Sequence, residues 1–96
     1  MTKDEILSYL KQYKSEHKEH YFIEKLGIFG SFARGEETTS SDIDVVVGFS
    51  KPNLLTQSTI MLDLKKHFKI DVDVVALWDK MNPRLKKRID ADAIYV

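Results

Sequence analysis

Asp42 and Asp44 frame Ile43 at the head of a β-branched run, Val45-Val46-Val47, and this arrangement limits the folds open to the chain. β-Branched side chains pack well on a pleated surface, so the run reads as a strand. Residues two apart in a strand point to one face. Asp42 and Asp44 therefore share a face, while Ile43, Val45 and Val47 point the other way, into a core. Two carboxylates side by side repel each other, and folding alone gives no reason to place them there. A divalent cation gives one. Mg²⁺ takes oxygen ligands and is commonly held by one or two carboxylates plus substrate phosphates.

Gly30 and Ser31 close an earlier apolar run, with ten residues between Ser31 and Asp42. Gly30 lets the backbone turn sharply and lets a ligand come close. Ser31 offers a hydroxyl and a backbone N–H. If the next residues turn into a short helix, its N-terminus presents unpaired N–H groups to an anion. Arg34 can bring a guanidinium to the same anion. A phosphate cradle beside a carboxylate metal site points to nucleotide chemistry.

Gly30-Ser31, ten residues, then Asp42-Ile43-Asp44 resembles the signature of the polymerase-β-like nucleotidyltransferase superfamily. The fuller string, Gly30-Ser31-Phe32-Ala33-Arg34-Gly35-Glu36 with Ser41-Asp42-Ile43-Asp44, resembles its small prokaryotic branch, the minimal nucleotidyltransferases. The resemblance implies an α/β (α+β) fold like the polymerase palm: a small mixed sheet with helices packed on one face. It implies a third acid on a later strand. Asp71 and Asp73 both lie on one face of that strand, and spacing alone does not separate them. The superfamily's Val-Asp-hydrophobic-Val pattern matches Val72-Asp73-Val74-Val75, which favours Asp73.

The same resemblance assigns roles. Asp42, Asp44 and Asp73 are the expected catalytic acids and ligands of two Mg²⁺ ions, with ATP as substrate. Asp73 is also expected to take the proton of the attacking hydroxyl. Gly30, Ser31 and Arg34 are the expected nucleotide-binding residues. Minimal nucleotidyltransferases typically accompany a HEPN-domain ribonuclease toxin, and some transfer AMP to a tyrosine hydroxyl of it. The implied function is an antitoxin adenylyltransferase with a HEPN-domain partner. The alternatives are a binding module that neutralises its partner by contact alone, and a nucleotidyltransferase acting on a small molecule or RNA.

At 96 residues the chain fits one domain, 1–96, with a small core that a homo- or hetero-oligomeric partner would support. Fifteen basic and fifteen acidic residues leave no net charge, against a general nucleic-acid binder, which needs a basic excess. There is no cysteine, which fits the cytoplasm, and no apolar run long enough to span a membrane.

Thr2 and Glu5 have the form of a capping box ahead of a helix over 3–17. His17 and His20 read as solvated histidines rather than a metal pair. Residues 22–29 read as the first strand, with Phe32 and Ala33 buried beyond it, and 35–41 as a polar loop around the nucleotide site. The second strand spans 42–49. A helix over 54–68 carries Leu54, Leu55, Met61, Leu62, Leu64 and Phe68 mainly on one side, and His67 meets the negative end of its dipole. A third strand over 70–77 then lies parallel to the second through a right-handed crossover, with the helices on the face away from the acids. Asn82 and Pro83 open a last helix whose Lys80, Arg84, Lys86, Lys87 and Arg88 form either a solvated face or a docking patch for an acidic partner or RNA. Residues 93–96 read as a short edge strand.

Overall fold

The computed structural model describes all of residues 1–96. Its elements run α1 (Lys3–His17), β1 (Ile23–Phe29), α2 (Ser31–Arg34), β2 (Ile43–Phe49), α3 (Leu54–Phe68), β3 (Val72–Ala76), α4 (Pro83–Asp92) and β4 (Ile94–Tyr95). The strands form one sheet in the order β3-β2-β1-β4. β2 and β3 are parallel through the α3 crossover, and β1 is antiparallel to both β2 and β4. The mixed sheet and its parallel pair match the sequence reading.

Local chemistry explains the helix starts. Thr2 and Glu5 exchange the two hydrogen bonds of a capping box, each 3.2 Å. Asn53 caps α3 through Oδ1, which accepts from Leu55 N–H at 2.8 Å. Asn82 caps α4 in the same way, from Arg84 N–H at 2.8 Å, with Pro83 in the first turn.

One face of the sheet carries the larger core. Ile6, Leu10 and Tyr13 of α1 and Ile60, Leu64 and Phe68 of α3 pack on Leu26, Ile28, Ile43, Val45, Val47 and Val72. Tyr13 joins the two helices, its hydroxyl donating to Asp63 Oδ2 at 2.7 Å. Burial and that hydrogen bond push the Tyr13 hydroxyl above its ordinary pKa. Two histidines stack on tyrosines at the margin of this layer. His67 stacks on Tyr9 with ring centroids 3.5 Å apart, and His17 stacks on Tyr21 at 5.0 Å.

Two expectations are corrected here. The apolar stripe of α3 runs through Ile60, Leu64 and Phe68, spaced by four, whereas Leu54, Leu55 and Leu62 are 81%, 79% and 59% exposed. Leu54 and Leu55 fill the first turn, and Leu62 lies two residues, over half a turn, off the stripe. The helices also do not all lie on one face. α4 packs on the opposite face of the sheet, where Met81 and Ile89 meet Phe29 and Val46. That is the face of the aspartates, since Phe29 is the register partner of Asp44. No helix is long and apolar enough to cross a membrane.

Candidate active site

The site is built where β1 ends and β2 begins. Gly30 follows β1 with φ +77° and ψ −154°, a region that side chains rarely adopt. A Cβ there would collide with Oδ2 of Asp44. The glycine is therefore required twice, by its backbone angles and by the carboxylate lying against it. The next four residues make α2, a single turn anchored by buried Phe32 and Ala33 and stopped by Gly35 in the left-handed conformation. Ser31 and Arg34 remain on the accessible side.

Asp44 is half-buried and stands beside Asp73, its register partner across the parallel β2–β3 pair. Asp42, exposed, lies just ahead of β2. Burial raises the Asp44 carboxyl above the usual carboxylate range, and the charges of Asp73 and Asp42 push it the same way. Arg88 and Arg34 oppose them. Asp71, the alternative third acid, forms an ion pair with Lys65 of α3 at 3.2 Å. Asp73 is thus the acid of β3 that shares an environment with Asp44.

The acids do not close into a cage: no three of them converge tightly enough to enclose a cation by themselves. Like charges in adjacent positions are destabilising, so an all-carboxylate group has no reason to close unaided. Its chemistry still fits Mg²⁺. The donors are all oxygens, and Mg²⁺ asks for only one or two carboxylates when waters and substrate phosphates complete its shell. Asp42, Asp44 and Asp73 are the residues here that could hold it.

Arg34 is not a free guanidinium. Its Nη1 donates to Asp92 Oδ2 of α4 at 2.6 Å, and its Nε donates to Glu36 at 3.4 Å. This contact ties the signature turn to α4, which the sequence reading placed elsewhere. The signal for α4 was faint: Leu85 and Ile89, four apart, mark an apolar stripe flanked by Arg88 and Asp92. Nothing in that pattern says which face of the sheet receives it. The loop 35–41 between the two halves of the site holds itself through its own hydroxyls, with Thr38 N–H donating to Ser41 Oγ at 2.8 Å.

Known proteins resemble this chain in sequence and in fold. A family model described as polymerase beta, nucleotidyltransferase matches residues 5–96. A provisionally named protein adenylyltransferase of Methanocaldococcus jannaschii is 38% identical over 96 residues, covering 99% of this chain and 98% of the relative. The protein adenylyltransferase MntA of Thermococcus cleftensis is 31% identical over 97 residues, covering 100% and 97%. A solved structure, provisionally described as a minimal nucleotidyltransferase, superposes with a TM-score of 0.76 at 28% identity, covering 98% of this chain and 95% of its own. A complex of a tri-AMPylated HEPN toxin with its MNT antitoxin, from Shewanella oneidensis, shares the fold with a TM-score of 0.65 at 15% identity, covering 93% and 70%. Matched from residue 5 to its last residue, and aligned almost end to end with relatives at this identity, the chain belongs to the polymerase β nucleotidyltransferase family.

Proposed function

We propose that this chain is a metal-dependent protein adenylyltransferase of the cytoplasm that moves AMP from ATP onto a hydroxyl, a tyrosine first, of a HEPN-domain toxin and so neutralises it. The observation that carries the reading is the juxtaposition of Asp44 with Asp73 in register and with the backbone of Gly30 against its carboxylate. One place thereby offers acids for a metal and a turn for phosphates. The relatives named protein adenylyltransferases, matched over nearly their whole length, supply the kind of transfer and acceptor.

In this reading Asp42, Asp44 and Asp73 would hold Mg²⁺, which when bound would supply charge neutralisation for the phosphates and for the oxygens of an in-line displacement. Ser31 and the Gly30 backbone orient the β- and γ-phosphates. The acceptor oxygen forms a bond to the α-phosphorus, the bond from that phosphorus to the β-phosphate bridge breaks, and pyrophosphate leaves. Asp73, exposed at the edge of the acid group, takes the hydroxyl proton. Positioning and charge neutralisation supply most of the rate.

The test is co-expression with a candidate HEPN toxin, read by intact mass and by growth. The wild-type chain should add the mass of one or more AMP groups to the toxin and restore growth. Asp42→Ala/Asp44→Ala should do neither. If the double variant still restores growth with no mass added, neutralisation is by contact and transfer is irrelevant.

A further inference from the structure

The sequence draws attention to Arg34 as the cation for the phosphates, yet Arg34 is already engaged. Asp92 and Glu36 both bond its guanidinium, and the Asp92 side chain is only 15% exposed. Two carboxylates on one guanidinium leave that cluster with no positive charge to offer a polyanion. The acids of the site add three more negative charges, at Asp42, Asp44 and Asp73. A triphosphate approaching them needs a cation from the chain as well as any metal.

α4 provides one. Arg88 stands four residues before Asp92, so the two lie on the same helix face. The Arg34–Asp92 bond presses that face against the signature turn, and buried Ile89 anchors the helix on the sheet directly beneath. Arg88 is exposed and takes part in none of the ion pairs of the structure, which are Arg34–Glu36, Arg34–Asp92, Lys65–Asp71 and Lys86–Asp90.

We infer that Arg88 is a further substrate-binding residue, its unpaired guanidinium gripping the β- and γ-phosphates of the nucleotide, while Arg34 clasps α2 to α4 through Asp92. The inference rests on the transferase reading above and divides the labour of two arginines within it. It also gives the basic stretch of α4 a specific member with a task. A planar guanidinium offers two parallel hydrogen bonds to a phosphate, which an ammonium does not.

The experiment is calorimetric titration of the full chain with α,β-methylene-ATP and with AMP, both in Mg²⁺, together with thermal melts. Arg88→Ala should weaken the triphosphate analogue by roughly 10- to 100-fold, the range of a charge-assisted hydrogen bond, with AMP affinity and melting temperature unchanged. Arg88→Lys should recover part of the loss. Arg34→Ala should lower the melting temperature, because it opens the α2–α4 clasp. Arg88→Gln, which keeps stem and polar head without charge, repeats the Arg88→Ala expectation should alanine disturb the helix. Wild-type binding of the analogue by both Arg88→Ala and Arg88→Gln overturns the inference alone. Equal loss of AMP and of the triphosphate analogue also overturns it, since the residue would then not distinguish the outer phosphates. A wild-type chain with no affinity for either nucleotide overturns the transferase reading and the inference together.

Discussion

Replacing Gly30 by alanine tests the geometry of the site without touching its chemistry. Two costs add at this position. A side chain at φ +77°, ψ −154° sits in a region that costs of order 1–3 kcal/mol. The new Cβ also meets Asp44 Oδ2 directly and stands 3.2 Å from Asp44 Cγ, so the carboxylate must rotate away. Forcing a short side chain off its rotamer adds about 0.5–1.5 kcal/mol. The total is about 3 kcal/mol, which lowers the melting temperature by more than about 10 °C in a domain of this size.

Gly35 is the internal control. It too has positive φ, +72°, but a Cβ there meets nothing within 4 Å, so Gly35→Ala carries only a backbone cost of about 1 kcal/mol. Urea denaturation followed by circular dichroism at neutral pH reads both. The cycle Gly30→Ala, Asp44→Ala and the double variant isolates the collision, because removing the carboxylate should return about 1 kcal/mol of the Gly30→Ala loss. Transfer activity should vanish in Gly30→Ala and persist in Gly35→Ala. Equal destabilisation by the two glycine variants, with strict additivity in the cycle, would mean that Gly30 does not lie against the Asp44 carboxylate.

Asp44→Asn should stabilise the nucleotide-free protein at neutral pH while abolishing transfer. Burial, then Asp73 and Asp42, raise the folded-state carboxyl, so the folded protein holds this proton more firmly than the unfolded chain does. The stabilisation from protonation is complete below the unfolded pKa, near 4, and is lost as pH rises through the raised folded value. Partial exposure reduces the gain from the amide to roughly 0.5–1 kcal/mol; a melt of Asp44→Asn below wild type at pH 7 would refute it. Tyr13→Phe removes the 2.7 Å bond to Asp63 that clasps α1 to α3, and urea titration should show a loss of about 1–2 kcal/mol with transfer intact. An unchanged midpoint would show that packing of Ile6, Leu10, Leu64 and Phe68 holds the two helices without it.

The parts of the molecule governed by short-range rules were legible in the sequence. Strand alternation put Asp42 and Asp44 on one side and Ile43, Val45 and Val47 on the other, and those three are buried in the larger core, whereas Val46, on the face of the aspartates, is buried by α4. Thr2, Asn82 and Pro83 marked helix starts because caps answer a local need for hydrogen-bond partners. Asp71 and Asp73 could not be separated by alternation, which gives them the same face. What separates them is a neighbour on another element, Lys65, which draws off Asp71. The exposed Leu54, Leu55 and Leu62 misled for a related reason: leucine counts say that a helix has an apolar side, but only the 3.6-residue phase of Ile60, Leu64 and Phe68 says where it is.

The position of α4 follows from topology rather than from its own residues. The crossover places α3 on one face of the sheet, and α1 fills the rest of that face. β3 is one edge of the sheet and β4 the other, paired with β1 through Gly27 and Ile28. The chain must therefore travel from edge to edge across β2 and β1 between residues 76 and 94. With one face occupied, the path lies over the other, which carries the acids. The helix brought there for reasons of chain path covers Phe29 and Val46 with Met81 and Ile89 and delivers Asp92 to Arg34 of the signature turn. The same strand order that completes the sheet thus brings α4 beside the candidate site, and a helix that reads in isolation as a basic surface element becomes part of that site's surroundings.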